Sequence, residues 1–182
     1  CGPRVWLEEG GRRLDLEVAV RLGEDPDLWG ITGLVHDLDL DVCGDDLTHH
    51  AELGARILEE AGARPETVHA VRGHNDKAPR ESLLDHALWV VDPTTGFITA
   101  AALVRPSRST CDLGVSSVRK RMKEQRFAAA VNRDQIRACE PLLGLDLDTF
   151  LGICIGAMDG IRDAIGLGGA GGAAADPARH PG

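Results

Sequence analysis

Five side chains of this sequence have the types and spacing to hold a metal ion together: the adjacent His36 and Asp37, then His50, His74 and Asp92. Imidazole nitrogens combined with carboxylate oxygens suit Mn, Fe, Co, Ni or Zn better than Ca. A divalent ion in such a set lowers the pKa of bound water toward neutrality, which is the chemistry of hydrolysis by an activated water. His36 and Asp37 close the apolar stretch LWGITGLVHDLD, where Leu34, Val35 and Leu38 pull the pair toward the core. An imidazole and a carboxylate buried side by side need hydrogen-bond partners or a cation. His50 is followed four residues on by Gly54, which allows another backbone to approach closely. His74 stands in RGHND just past a helix, and Asp92 ends the apolar run ALWVV. Each also has a plainer reading: a polar pair at a helix end, a surface helix residue for His50, a cap for His74, and a stop before Pro93 for Asp92. His49, His69, His86 and His180 read as surface or capping residues, with His49 an alternative to His50.

The elements that must position these groups read as all helix. Apolar residues recur at spacings of three and four (Leu28, Ile31, Val35, Leu38; Leu53, Ile57, Leu58), with little alternation of period two. Helices are predicted over about Leu14 to Leu22, Asp27 to Leu38 after Pro26, Thr48 to Ala61 before Gly62, and Pro65 to Gly73. Others follow over about Arg80 to Val91, ended or kinked by Pro93, then Thr95 to Leu103, Val115 to Ala130, Arg133 to Glu140 and Asp148 to Ile165. No repeat of fixed period is visible, so helices joined by short breaks predict one bundle-like domain over 14–167. The Gly-, Ala- and Pro-rich stretch 168–182 cannot bury a core and reads as a disordered tail.

Composition narrows the function classes. The chain has 182 residues, 43% hydrophobic and 27% charged, enough for one domain with a substantial core. No run of about 18 apolar residues is present, and Arg4, Glu8 and Glu9 stand where a secretory leader needs an apolar stretch, so a cytoplasmic location is expected. The five cysteines (Cys1, Cys43, Cys111, Cys139, Cys154) form no C-x-x-C pair and read as reduced thiols. A net charge of -9 argues against nucleic acid and anionic membrane as partners, and leaves a small phosphorylated substrate held by focused charge or metal. Focused charge exists at Arg119, Lys120, Arg121, Lys123 and Arg126, opposed by Glu124; it reads equally as a solvated helix face. Signatures of serine hydrolases, P-loops, zincins and dinucleotide folds are absent.

The order H-D, H-x-x-x-G, H-N, D resembles the HD-domain superfamily of metal-dependent phosphohydrolases. The segments LGEDPDLWGITGLVHDLD, HAELGARILEEAG, AVRGHN, SLLDHALWVVD, TGFITAAALVRPS and SVRKRMKEQRFAAAVNR look like one bacterial branch of HD-domain hydrolases, over roughly Arg21 to Leu167. The resemblance implies an all-α fold in which His36 and Asp37 bind a divalent metal and Asp92 reaches the same ion. It assigns His50 and His74 to a second metal or to the substrate phosphate, and Asp37 also to orienting the water that attacks a small phosphomonoester or nucleotide. Arg105, Lys120, Lys123 and Arg133 are then the candidates for holding phosphate. One departure is plain. The family pattern begins with another histidine on the helix before LGED, and no histidine precedes His36 here. Residues 1–13 therefore read as altered or poorly ordered, with Gly10-Gly11 weakening a helix by about 1 kcal/mol per glycine. Glu8 or Glu9 is the candidate to supply a carboxylate instead, and the alternative is a catalytically impaired protein that binds a nucleotide or a protein partner. Pro93, directly after Asp92, is a second departure.

Overall fold

The computed structural model describes residues 3–44 and 46–169. Its helices are α1 (Pro3–Leu22), α2 (Pro26–Val35), α3 (Leu40–Cys43), α4 (Glu52–Glu60), α5 (Pro65–Gly73), α6 (Leu83–Leu103), α7 (Val115–Met122), α8 (Arg133–Arg137), α9 (Cys139–Leu143) and α10 (Leu147–Gly160), with a 3₁₀ turn over Leu47–His49. Among the described residues no strand forms; an isolated antiparallel bridge joins Ser109 to Gly168. The all-α prediction holds. Residues 1, 2 and 170–182, which include part of the expected tail, lie outside the described residues.

The 21-residue α6 runs through the middle and touches α1, α2, α5, α7, α8, α9 and α10. Its buried face carries Leu88, Val91, Phe97 and Ile98, which pack with Leu14 and Val18 of α1, Trp29 of α2, and Phe150, Leu151 and Met158 of α10. Burying each such side chain stabilises the fold by about 1.5–3 kcal/mol. Ala55, Leu58, Val68 and Val71 form a second, smaller core between α4 and α5, lapped by Val35 and Leu38.

Three expectations change. First, α1 starts at Pro3 and passes straight through Gly10-Gly11. The glycines lower intrinsic helicity but admit close packing: a Cβ on Gly11 would sit 3.3 Å from the Gly33 carbonyl, and one on Gly10 would sit 3.0 Å from Thr95 Cγ2. Tertiary contact outweighs propensity here. Second, Pro93 neither ends nor splits its helix, so the expected segments Arg80 to Val91 and Thr95 to Leu103 are one element. Proline removes the donor for the Trp89 carbonyl four residues earlier, and Gln135 Nε2 of α8 donates to that carbonyl at 2.5 Å instead. Third, the helix expected over Val115 to Ala130 ends at Met122. The turns that follow present carbonyls of Phe127, Ala128 and Val131 to the Arg133 guanidinium, which also lies over the Phe97 ring.

Helix starts follow the capping residues. Asp25 accepts from the amides of Asp27 and Leu28, Asn132 from Asp134 and Gln135, and Asp146 from Asp148 and Thr149. Ser82 and Asp85 form a reciprocal capping box at the head of α6. The fully buried Asp85 also accepts a hydrogen bond from His69 Nδ1 at 2.9 Å, so His69 is tied to a helix cap.

Candidate metal centre

His36 is the C-cap of α2 and His74 the C-cap of α5, and the two are oriented by the same local device. Carbonyls in the last turn of a helix lack amide partners. His36 Nδ1 donates to the Gly33 carbonyl at 2.8 Å and His74 Nδ1 to the Val71 carbonyl at 2.6 Å, each three residues back. A carbonyl can only accept, so Nδ1 carries the proton and Nε2 is turned outward with its lone pair. Both rings are buried.

His50 sits at the end of the 3₁₀ turn, where no helix can orient it. Its Nδ1 donates to Asp39 Oδ1 at 2.8 Å, again freeing Nε2. Asp39 is fully buried, and its other oxygen accepts the amides of Ala51 at 2.8 Å and Gly54 at 2.9 Å. Ala51 has φ 70 and ψ -44, near the rare and strained γ-turn conformation, and the Asp39 carboxylate holds it there. A Cβ at Gly54 would come within 3.2–3.4 Å of that carboxylate, which is why glycine stands four residues after His50. From the other side, Asn75 Nδ2 and Lys77 Nζ donate to the His50 carbonyl at 2.9 and 3.0 Å.

The three Nε2 atoms converge on Asp37. Its Oδ1 lies 3.4 Å from His50 Nε2 and 3.5 Å from His74 Nε2, and its Oδ2 lies 3.4 Å from His36 Nε2. Asp92, on α6 just before Pro93, places Oδ1 3.7 Å from His36 Nε2. The donors fall into two sets that share Asp37: Asp37, His50 and His74, and His36, Asp37 and Asp92, each with ligand atoms within 4.8 Å of one another. His50 and His74 turn their Nε2 atoms toward each other at 3.3 Å, and buried His36 Nε2 has no hydrogen-bond partner among the described residues. Facing lone pairs repel unless a cation or a proton lies among them, so the donor set fits a divalent ion in each place.

Electrostatics agree. Burial opposes charge on both groups, yet Asp92 and Asp37 push His36 up to about 10, and His74, His36 and His50 hold Asp37 down at about 2. Without metal, a proton takes the place of the ion at His36.

The family model for the HD domain matches residues 13–96, a stretch that contains all five of these side chains. This match places residues 13–96 in the HD-domain superfamily. No solved structure matches it. HD domains bind divalent metals, and the side chains that could hold one lie together here.

The HD domain also explains what the sequence left ambiguous. His50 and not His49 enters the site; His49 is exposed, in the 3₁₀ turn. On the helix where the resemblance leads one to expect a first histidine, α1 presents Leu7, Glu8 and Gly11 to a cavity of about 240 Å³ that is also lined by His36, Asp37 and Asp92. Glu8 thus borders the site but lies outside both donor sets, and Glu9 is turned away to Arg12 at 2.7 Å. None of the expected phosphate-binding candidates, Arg105, Lys120, Lys123 and Arg133, lines this cavity. Arg105 is bound to Asp112, Arg133 is spent on carbonyls, and Lys123 and Arg133 border a separate cleft with Asn132 and Arg137. Arg119 and Arg121 pair with Asp148 and Glu124, so much of the basic segment is neutralised locally.

Sequence reasoning missed Asp39, Asn75 and Lys77, which carried a signal only as neighbours of the motif residues. It also missed Asp15 of α1. This carboxyl is fully buried with neither oxygen hydrogen-bonded, and burial drives its pKa well above the usual range, against the pull of His36. Burial thus favours its neutral form, and it is accommodated where a Cβ at Gly33 would collide with it.

Proposed function

We propose that this HD domain is a metal-dependent phosphohydrolase that cleaves a phosphomonoester by activated water. The observation that carries the reading is the convergence of three imidazoles on one carboxylate, Asp37, whose two oxygens face different histidines. His36, Asp37 and Asp92 would hold one divalent transition metal, and Asp37, His50 and His74 a second. Such ions supply positive charge that acidifies water and neutralises phosphoryl oxygens. The chain's own contribution is positioning: Gly33, Val71 and Asp39 fix the three rings in the tautomer that offers Nε2, and Asp37 stays ionised, able to accept a hydrogen bond from a water beside it and so orient it.

The test is direct. Metal-stripped protein reloaded with Mn, Fe, Co, Ni or Zn is assayed against a panel of phosphate esters. Asp37→Ala should cut turnover by about a thousandfold, or about 4 kcal/mol, because it takes a donor from both sets. A folded wild-type protein that turns over no ester with any metal would overturn the reading. A binding-only role is what the missing histidine favours, since Leu7 and Glu8 border the cavity where the superfamily pattern has an imidazole. Under that reading the unaltered chain is silent and Leu7→His or Glu8→His gains activity.

A further inference from the structure

The cavity beside His36, Asp37 and Asp92 has a character that the ligand set alone does not dictate. Besides those three, its walls are Leu7, Glu8, Gly11, Leu40, Thr95 and Gly96. Leu7 and Leu40 are apolar, and the glycines bring bare backbone. The Thr95 hydroxyl is committed to the Val91 carbonyl at 3.3 Å. Glu8 is the charged wall residue apart from the candidate ligands, and it is negative. Among the described residues no lysine or arginine lines the cavity. Other cations are engaged elsewhere: Arg12 on Glu9, Arg105 on Asp112, and Lys77 on the carbonyls of Leu47, Thr48 and His50.

Size points the same way. At about 240 Å³ the cavity falls below the roughly 300–1,000 Å³ of pockets that enclose drug-sized ligands. It has room for a short alkyl chain or a single ring next to a phosphate, whereas a nucleoside with two more phosphates would have to extend beyond it. A polyphosphate would also bring additional negative charge against Glu8, with no guanidinium or ammonium among the described lining residues to balance it.

From these features we infer that the site takes phosphomonoesters of small, uncharged, largely apolar alcohols and discriminates against nucleotides. The inference rests on the phosphohydrolase reading above and narrows its substrate. In the reaction, water adds to phosphorus through oxygen, the ester P–O bond breaks, and a proton from the water ends on the departing alcohol oxygen. The products are the alcohol and inorganic phosphate.

Gly96 offers a specific probe. A Cβ built there meets nothing within 4 Å, so a larger side chain enters the cavity without striking protein. Gly96→Val should lower kcat/KM for phenyl phosphate relative to methyl phosphate by about tenfold, because the lost space falls on the ring and spares the phosphate.

Binding and turnover are measured separately on metal-loaded protein. In calorimetry, phenylphosphonate should bind at least about tenfold tighter than AMP, which has the same charge and more bulk, and AMP tighter than ADP. Glu8→Gln should narrow the gap between AMP and ADP. Turnover should follow the same order, with phenyl phosphate ahead of AMP and ATP. If AMP or ADP binds as tightly as phenylphosphonate, the substrate inference is overturned while the hydrolase reading stands. If phenylphosphonate binds selectively and no ester is cleaved, the ligand class is supported and the hydrolase reading falls.

Discussion

His36 and Asp92 reach Asp37 from α2 and α6, two helices tied into the main core through Trp29, Leu88 and Val91, whereas His50 and His74 reach it from segments that rest on the small core of Ala55, Leu58, Val68 and Val71. The first donor set is placed by helix packing: α1 comes down on α2 at Gly11 and Gly33, and Gln135 steadies α6 where Pro93 interrupts its ladder. The second is placed by polar clips. Asp39 holds the His50 ring and the strained Ala51 amide, and Asn75 and Lys77 hold the His50 carbonyl. Apolar packing tolerates small errors because many contacts share them, whereas a clip made of a few hydrogen bonds fails when one partner is lost. The two halves of one site should therefore break in different ways.

The largest separable effect is expected at Asp39. Asp39→Asn keeps the shape but puts an amide where a carboxylate accepts from His50 Nδ1 and two backbone amides. Loss of such an orienting partner weakens metal affinity by about 10–100-fold. The loss should fall on the Asp37, His50 and His74 set and spare the ion at His36 and Asp92. Titration with Co(II), followed by its visible spectrum, together with nitrogen NMR of the His50 tautomer in metal-free protein, distinguishes the outcomes. Equal weakening of both ions would show that the clip is not specific to its half. Gly54→Ala, which crowds the same carboxylate, should act in the same direction more weakly.

A second comparison uses pH. His36 is raised from 6.5 to about 10 by Asp92 and Asp37 despite its burial. Because its folded pKa exceeds its unfolded one, its proton stabilises the metal-free fold fully below about 6.5, and that contribution is lost as pH rises through about 10. An ion in the His36 set must expel the same proton, so its affinity should rise with pH, by up to tenfold per unit, until about 10. Metal-free melting temperature falling from pH 7 to 10 while ion affinity climbs is the expected pair. Proton uptake or no proton change on metal binding in calorimetry at pH 8 would contradict it.

How much of this could be read from the chain is uneven for physical reasons. The five candidate ligands were legible because each interrupts an apolar run with a group that burial makes costly, and their order along the chain is specific. The all-α character was legible from period alone. Helix continuity was not: Gly10-Gly11 and Pro93 are breakers by local propensity, and what overrides them is the approach of α2 and an amide from Gln135, forty-six residues from Trp89. Asp39 was invisible because a single aspartate in LDLDVCGDD is indistinguishable from its neighbours until the turn of His36–Asp37 aims it at His50. The basic residues were hard to read for the converse reason. Charge is easy to count in a sequence, but which carboxylate or carbonyl has already claimed it is a long-range fact, as with Arg105 and Arg133.

The smallest effect on the metal centre is expected from the device that supports α6. Gln135→Leu removes the donor to the Trp89 carbonyl, which Pro93 leaves without its helical partner. An acceptor deprived of its partner in a partly buried place costs about 1–3 kcal/mol, or a fall of several degrees in melting temperature for a domain of this size. Asp92 lies next to Pro93 but takes its position from the whole of α6, whose buried face is long and apolar. The fold should therefore absorb the loss. Metal affinity in the His36 set should change by less than about threefold, a difference below about 1 kcal/mol. A substitution that left stability untouched and cost tenfold in metal would mean that the Gln135 contact serves Asp92 directly, and that the packed half of the site is held by a clip as narrow as the one at His50.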